Sequence, residues 1–271
     1  MLRIVKAAEQ NKILHTGKVT NGVPEVTRLS LSPSKLITWD ECKAKFRAVM
    51  LKESRDPGSI YTAIGTAAHY VVEQINKGEL LSESAREELF RMKLIEECAA
   101  GDFALNFPAG YKESLVVVKK YKIPDGWNLV RAEALQQIEF VNFTFRYIVD
   151  AIFISDDGKT LYIVDYKTSA AVPKSPLQLM AYSWATAVQK PEIMEYTVKA
   201  AYHMLRKDSL HFHDATRETI EGFDAWLEKQ VSLIEQCFRL GHHPTTPGAP
   251  CHFCALFTCP DRDGEDDRGT K

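Results

Sequence analysis

The sequence predicts a mixed α/β (α+β) fold in which helices flank a central mixed β-sheet. The first part of the chain has helical periodicity. The middle is rich in β-branched and aromatic residues, which turn signals divide into short segments. A helix, further strand segments and a long amphipathic helix follow. This order of helices, β-meander, helix, strand and helix is typical of α+β or mixed α/β proteins.

Three helices are predicted before the sheet. The first covers residues 31–54, which begin with Ser-Pro-Ser, a helix start signal. The second runs from Gly65 to about Lys77, and the third covers residues 82–100. Residues 101–112 contain glycine, proline and asparagine, so we expect a loop there.

Strand composition then dominates, and turn signals at residues 124–126 and 155–159 separate the segments. We expect consecutive antiparallel strands at 115–121, 128–140, 143–154 and 161–168. The remaining predicted elements are a helix at 176–189, strands at 195–205 and 209–213, and a helix at 215–240.

Composition gives broad limits on function. The chain has 271 residues, 45% hydrophobic and 26% charged, which is ordinary for a soluble globular protein. The net charge of −2 produces no overall positive field that would indicate a nucleic-acid partner. Without an apolar run of about 20 residues or a secretory signal, we expect a cytoplasmic location and no membrane contact.

The sharpest local motif is VDYKTS at residues 164–169. Side chains alternate between the faces of a strand, so Asp165 and Lys167 point the same way and Tyr166 points opposite. Such a pair suits phosphate chemistry, because Asp165 can bind Mg²⁺ or Mn²⁺ while Lys167 offsets charge that develops on phosphorus. A surface salt bridge is the alternative interpretation of the same pair.

Asp150 lies within the preceding strand, on a face that it shares with Ile148 and Ile152. A carboxylate among apolar side chains is costly unless it is paired or bound to a cation. The short turn at 155–159 predicts a hairpin that brings Asp150 beside Asp165. Two carboxylates and one lysine are the minimum set for metal-assisted phosphodiester hydrolysis.

The order of motifs resembles the RecB-like, or CRISPR-adaptation-type, branch of the PD-(D/E)XK nucleases. The motifs are GTAAH (65–69), an acidic residue in a strand, YIVDAI (147–152), VDYKTS (164–169) and QLMAY (178–182). The resemblance spans residues 31–260 and implies a restriction-endonuclease-like core. Residues 1–30 would be an N-terminal extension and residues 261–271 a disordered acidic tail.

The resemblance also implies site residues. His69, Asp150, Asp165 and the backbone carbonyl of Tyr166 would be metal ligands. Lys167 would be the catalytic lysine. Gln178 and Tyr182, which lie on one helical face, would contact DNA and order the catalytic loop. Glu133 would be an accessory acid, with Glu139 as the alternative.

Three cysteines, Cys251, Cys254 and Cys259, have the spacing C-x2-C-x4-C, which suits a metal or cluster site. A four-cysteine site lacks one ligand, for which Cys42 is the candidate. The same nuclease branch includes iron–sulfur members with one N-terminal and three C-terminal cysteines. The resemblance therefore implies a 4Fe–4S cluster that joins the chain ends.

The alternative is a zinc site that uses a histidine instead of Cys42. The candidates are His242, His243 and His252.

The sequence thus predicts a metal-dependent DNA nuclease, acting as an exonuclease on single strands or DNA ends in recombination, repair or phage DNA processing. If the protein is phage-encoded, it would act in the host cytoplasm. No nucleotide-binding helicase motif occurs, so a helicase or recombination partner would supply unwinding. The alternatives are a non-catalytic DNA-binding module with a structural cluster and a restriction-type endonuclease.

Overall fold

The computed structural model describes residues 19–20, 23–24, 29–51, 58–79, 81–104, 109–248, 251, 254, 256, 259 and 261. The helices are Pro33–Glu41 (α1), Lys43–Met50 (α2), Ile60–Asn76 (α3), Glu83–Gly101 (α4), Ala109–Lys120 (α5), Leu177–Gln189 (α6) and Arg217–Leu240 (α7). The strands are Val19–Thr20 (β1), Val23–Pro24 (β2), Leu29–Leu31 (β3), Trp127–Glu139 (β4), Phe143–Ser155 (β5), Thr160–Lys167 (β6), Thr197–Met204 (β7) and Ser209–Asp214 (β8). Two 3₁₀ turns cover Pro191–Glu195 and Leu205–Lys207.

Side-chain caps fix where several helices begin. Ser32, Ser59 and Ser82 each accept a hydrogen bond from a backbone N–H in the first turn of α1, α3 and α4, and Thr216 does the same for α7. At the other end of α7, Gly241 has a φ of 65°, the left-handed conformation that commonly ends a helix. These ends are determined by local sequence.

The main sheet has six strands and is mixed. Strands β3, β5, β6, β7 and β8 follow one another in space, and β4 pairs with β5. β4, β5 and β6 form the expected antiparallel meander. β7 lies parallel to β6, and β3 parallel to β5. The predicted mixed sheet with flanking helices is confirmed.

Helices cover both faces of this sheet. A large core that includes Trp39, Phe46 and Trp184 joins α1, α2, α6 and α7 to the sheet. A second core that includes Phe90 and Val118 joins α3, α4 and α5 to it. The helices thereby hold the sheet between two buried layers.

The expected strand at 115–121 is wrong, because these residues belong to α5 and to its C-terminal end. Tyr111, Ser114, Val118 and Tyr121 are buried, whereas Val116 is 52% exposed. Buried positions three or four residues apart define one face of a helix. The Val-Val-Val run favours a strand over three residues, but the three- to four-residue spacing of buried positions over the whole segment is that of a helix. The expected loop at 101–112 likewise ends early, since α5 begins at Ala109.

The expected single helix at 31–54 is two helices. Cys42 separates α1 from α2 with extended backbone angles, φ −160° and ψ 120°. The helix predicted from Gly65 begins five residues earlier, at Ile60. Of the predicted extension and tail, most residues lie outside the described part.

Within the described residues, no helix combines the length and apolar character needed to cross a membrane. The cytoplasmic location stays a prediction.

Candidate active site

The site begins where β5 and β6 separate. The two strands pair only over Ala151–Ile154 of β5 and Leu161–Val164 of β6. Just beyond the last pair, Asp150 Oδ2 accepts a hydrogen bond of 2.7 Å from the backbone N–H of Tyr166. The carboxylate of Asp150 therefore occupies the position where the ladder between the two strands ends.

β4 places a second carboxylate beside Asp150. Ala132 pairs with Ala151 and Ala134 with Val149, so the register sets Glu133 opposite Asp150. Directly opposite residues of an antiparallel pair project from the same face. By contrast, Glu139 lies at the far end of β4 and accepts a hydrogen bond from Thr144. The structure brings Glu133, and not Glu139, to the group.

Helix α3 contributes His69 because it packs closely against the end of β6. A side chain at Gly65, one turn before His69, would place its Cβ 3.1 Å from Thr168 Oγ1. A glycine within a helix costs about 1 kcal/mol relative to alanine, and here it permits this close approach. His69 Nδ1 lies 3.6 Å from Asp150 Oδ2 as a result.

These three side chains form a candidate cation site. One ligand atom each from His69, Glu133 and Asp150 lie within 4.8 Å of one another. Two carboxylates and one imidazole are a suitable donor set for Mn²⁺ or Mg²⁺. The buried Asp165 carboxylate lies beside them and adds negative charge, which Lys167 Nζ, 2.6 Å from Oδ2, offsets in part. The residues present therefore fit a divalent cation.

Asp165 belongs to an adjacent polar network rather than to this set of three. Lys167 Nζ lies 2.6 Å from Asp165 Oδ2 and donates a hydrogen bond of 2.9 Å to Gln178 Oε1. The amide nitrogen of Gln178 donates to Asp165 Oδ1 at 2.8 Å and to the hydroxyl of Tyr182 at 2.9 Å. Helix α6 thus contacts the Asp165–Lys167 pair through Gln178.

The acids of the site have raised pKa values. Burial raises the pKa of Asp150 to about 6, although the hydrogen bond from Tyr166 opposes the shift. Burial and the neighbouring Asp150 carboxylate raise the pKa of Asp165 to about 6. Partial burial and contact with Glu73 raise the pKa of Glu133 to about 7. Carboxylates that repel one another in this way are stabilised by a bound cation.

Burial lowers the pKa of His69, so its imidazole is neutral near pH 7. A hydrogen bond with the backbone of Tyr166 opposes this shift by raising the pKa. A hydrogen-bond acceptor raises the pKa of an imidazole, so the backbone group involved is the Tyr166 carbonyl. The resemblance to the RecB-like nucleases implies the same carbonyl as a metal ligand. A neutral imidazole is the form that binds metals.

Glu73 is a site neighbour that the sequence reasoning missed. It lies on α3, contacts Glu133 and forms an ion pair with Lys77. The signal was present, because Glu73 follows His69 by four residues and therefore lies on the same helical face. Tyr202 was also missed: β7 places it beside Asp165, with its ring 5.5 Å from Lys167 Nζ. A parallel register of this kind is a tertiary feature.

An open cleft of about 540 Å³ leads to the site. His69 and Glu133 line this cleft, together with Thr168, which follows β6. Helices α3 and α4 provide other parts of the wall. The candidate cation site is therefore accessible to a ligand from solvent.

The cysteines lie elsewhere, where α2 meets the segment that follows α7. Cys42, Cys251, Cys254 and Cys259 line one pocket. Close to it, the backbone N–H of Ala44 in α2 donates to the carbonyl of Pro244. The structure therefore brings the predicted N-terminal cysteine to the three C-terminal ones, across almost the whole sequence.

The histidines proposed as alternative zinc ligands are not brought to this pocket in the described residues. The pocket lining includes neither His242 nor His243, and the His243 ring packs against Phe238. His252 lies outside the described residues.

Comparison with known families gives one result. A model of the PD-(D/E)XK nuclease superfamily matches residues 30–259, which include all the side chains described above. A search of curated proteins found no significant match.

Proposed function

The chain belongs to the PD-(D/E)XK nuclease superfamily, and we propose that it is a RecB-like, metal-dependent deoxyribonuclease that works as an exonuclease on single strands or DNA ends. One observation carries the proposal: the His69–Glu133–Asp150 set lies beside the Asp165–Lys167 pair, and His69 and Glu133 line an open cleft. A group of acids without a substrate cleft would not suit this role.

The residues have distinct roles in this proposal. His69, Glu133 and Asp150 hold Mg²⁺ or Mn²⁺, with Asp165 and the Tyr166 carbonyl as further ligands. The bound cation supplies positive charge that polarises the phosphodiester and offsets charge on the leaving oxygen. Lys167 Nζ orients the water that attacks in line and stabilises negative charge on the phosphate oxygens.

Gln178 and Tyr182 position these groups. The Gln178 amide contacts both Asp165 and Lys167, so it fixes the distance between the acid and the lysine. Tyr182 in turn orients that amide through its hydroxyl. We assign Gln178 a contact with the DNA backbone as well, because its side chain is only partly buried.

The proposed preference for single strands or DNA ends rests on the resemblance to the RecB-like branch. The given sequence contains no G-x-x-x-x-G-K-[ST] helicase motif. A helicase or recombination partner would supply open strands during recombination, repair or phage DNA processing.

We also propose that Cys42, Cys251, Cys254 and Cys259 bind a 4Fe–4S cluster. All four line one pocket. Four thiolates are the ligand set that holds a 4Fe–4S cluster. Such a cluster would join the chain ends around the nuclease core.

The nuclease proposal is tested with end-labelled single-stranded, duplex and closed circular DNA in Mn²⁺. The anaerobically purified wild type should degrade the linear strands and spare closed circles. Asp165→Asn and Lys167→Ala should lower the rate by about 10³-fold or more, because each removes charge stabilisation of the transition state. Asp125→Asn, at a 93% exposed turn carboxylate, is the matched control and should leave the rate unchanged.

Thermal melting of the same variants distinguishes catalysis from folding. Asp165→Asn should melt at the same or a higher temperature without Mn²⁺, because it removes a buried carboxylate with a raised pKa. Equal residual cleavage by wild type and both variants would disprove the catalytic assignment and favour a DNA-binding module. Discrete fragments from circular duplexes would indicate a restriction-type endonuclease.

A further inference from the structure

One row of α3 runs along the cleft. Tyr61, Gly65 and His69 are separated by four residues each, so they lie on one helical face. All three line the cleft. At 1.5 Å per residue, Tyr61 lies about 12 Å from His69 along the helix axis. The row therefore runs along the cleft wall from Tyr61 to His69, which belongs to the candidate cation site.

Tyr61 is exposed, whereas one face of α3 is buried. Its residue is 62% exposed, whereas Ala63, Ile64, Ala67 and Ala68 are at most 3% exposed. Single exposed apolar residues are common and need no explanation by themselves. Tyr61 differs because its position on the cleft wall places an aromatic ring beside the path to the cation site.

A small residue of α5 lies beside the Tyr61 ring. A Cβ added at Gly110 would lie 3.6 Å from Tyr61 Cδ1, an ordinary contact distance. The same Cβ would lie 2.6 Å from an Arg206 Nη atom, so a side chain at Gly110 would displace the guanidinium group.

The cleft wall combines aromatic rings with a cation. Lys93 lines the cleft with its ammonium 5.6 Å from the centre of the Tyr70 ring, and it is also ion-paired with Glu97 at 2.9 Å. Arg206, close to Tyr61 but outside the cleft lining, is ion-paired with Glu113 at 3.0 Å. Aromatic rings beside cations are typical of surfaces that bind single-stranded nucleic acid.

We propose that this cleft binds unpaired nucleotides next to the scissile phosphate and that Tyr61 is the platform on which a base stacks. The inference rests on the proposed nuclease function and defines its substrate as single-stranded. A fully paired duplex keeps its bases stacked on one another, so it cannot use this platform unless its end opens.

The test measures binding and cleavage separately. Binding of a fluorescent single-stranded oligonucleotide is followed by anisotropy in Ca²⁺, in wild type, Tyr61→Ala and Tyr61→Phe. Tyr61→Ala should weaken binding by roughly ten-fold or more, because base stacking on an aromatic ring is lost. Tyr61→Phe should bind like wild type, since it keeps the ring. Tyr196→Ala is the matched control, because Tyr196 is 37% exposed and lies outside the cleft.

Cleavage kinetics and crosslinking complete the test. Tyr61→Ala should raise KM for single strands more than it lowers kcat, and should change the cleavage of blunt duplexes less. Photocrosslinking with 5-iododeoxyuridine should label the peptide that contains Tyr61. Unchanged binding and KM in Tyr61→Ala would overturn the inference, and with active wild type the nuclease proposal would stand. Wild type that neither binds nor cleaves single strands would overturn both.

Discussion

The two candidate metal sites of this protein differ in how their ligands are held. His69, Glu133 and Asp150 project from a helix and two paired strands, whose backbones are fixed by the sheet and the second core. The four cysteines lie between helices or in the C-terminal segment. The first site is therefore held by α3 and the central sheet, whereas the second lies between the α1–α2 junction and the segment after α7.

Because the ligands are held differently, we expect a bound cation and a bound cluster to affect different properties of the protein. The carboxylates of the first site repel one another, so a bound cation should lower their pKa values and leave the backbone around them unchanged. The cysteine pocket joins segments from opposite ends of the chain, so a bound cluster should act as a crosslink. Removal of the first should affect chemistry, and removal of the second should affect stability.

The largest effect on stability should come from Cys42→Ser. Loss of one ligand should release the cluster and separate the chain ends. A crosslink that closes a loop of roughly 200 residues contributes about 5 kcal/mol in the chain-entropy model. We therefore expect loss of iron, loss of visible absorbance and a large drop in the unfolding midpoint, measured anaerobically by iron analysis and urea denaturation.

Cys98→Ala is the matched control for that experiment. Cys98 is buried in α4, in the second core, and does not line the cysteine pocket. This variant should keep its iron and lose only about 1 kcal/mol from the small cavity it leaves. If Cys42→Ser retains full iron content, or if the wild type carries zinc instead, the proposed cluster is wrong and the contrast between the two sites weakens.

An intermediate effect is expected when the pH is changed. The pKa values of Asp150 and Asp165 are about 6 and that of Glu133 about 7, so protons compete with the cation below pH 7. Mn²⁺ affinity should therefore rise by about ten-fold or more between pH 5.5 and pH 8. Calorimetric titration at both pH values measures it directly.

The stability of the cation-free protein should change in the opposite direction. These acids ionise near their ordinary pKa values in the unfolded chain but keep their protons to higher pH in the folded chain. The folded state therefore binds more protons between about pH 4 and pH 7, and stability falls as the pH rises through that window. Melting curves without metal measure this fall, and Mn²⁺ should reverse it at pH 8. A pH-independent Mn²⁺ affinity would contradict the assigned ligand set.

The smallest effect should come from Tyr121→Phe. The Tyr121 hydroxyl donates to Asn76 Oδ1 and lies 2.7 Å from the Tyr166 hydroxyl, behind the candidate active site. Its removal leaves buried polar groups without one partner, which costs about 1–3 kcal/mol. Urea denaturation should detect this loss, while the cleavage rate should change only a few-fold.

Tyr196→Phe, at an exposed tyrosine, is the control for this variant and should change neither quantity. If Tyr121→Phe lost as much cleavage activity as is expected for Asp165→Asn, the active-site geometry would depend on the tyrosine network. This result would mean that the position of α3 depends on this hydroxyl, because Asn76 lies on α3 and Tyr166 on β6.

Local sequence predicted those parts of the fold whose signals are local. The strands β5 and β6 and their turn followed from β-branched runs and SDDGK, and the start of α1 followed from its Ser-Pro-Ser signal. The helix α5 was missed because Val116–Val118 favour a strand over a short window. The buried face of the helix, from Tyr111 to Tyr121, appears only over three turns.

The candidate site divides in the same way. Asp150, Asp165 and Lys167 were predicted because a carboxylate in an apolar strand and a D-x-K pair carry a chemical signal within a few residues. The choice between Glu133 and Glu139 required the register of β4 against β5. The contacts of Glu73, Tyr202 and Tyr61 required the packing of α3 and the parallel alignment of β7.

The sequence provides the chemical groups of this protein, namely the acids, the lysine, the histidine and the four cysteines, and the spacing of each motif. Which of these groups come into contact depends on the tertiary structure. The close approach of α3 at Gly65 brings His69 within 3.6 Å of Asp150, and the contact between α2 and residue Pro244 brings Cys42 to the C-terminal cysteines. Such meetings depend on contacts between residues far apart in the chain, which no local pattern records.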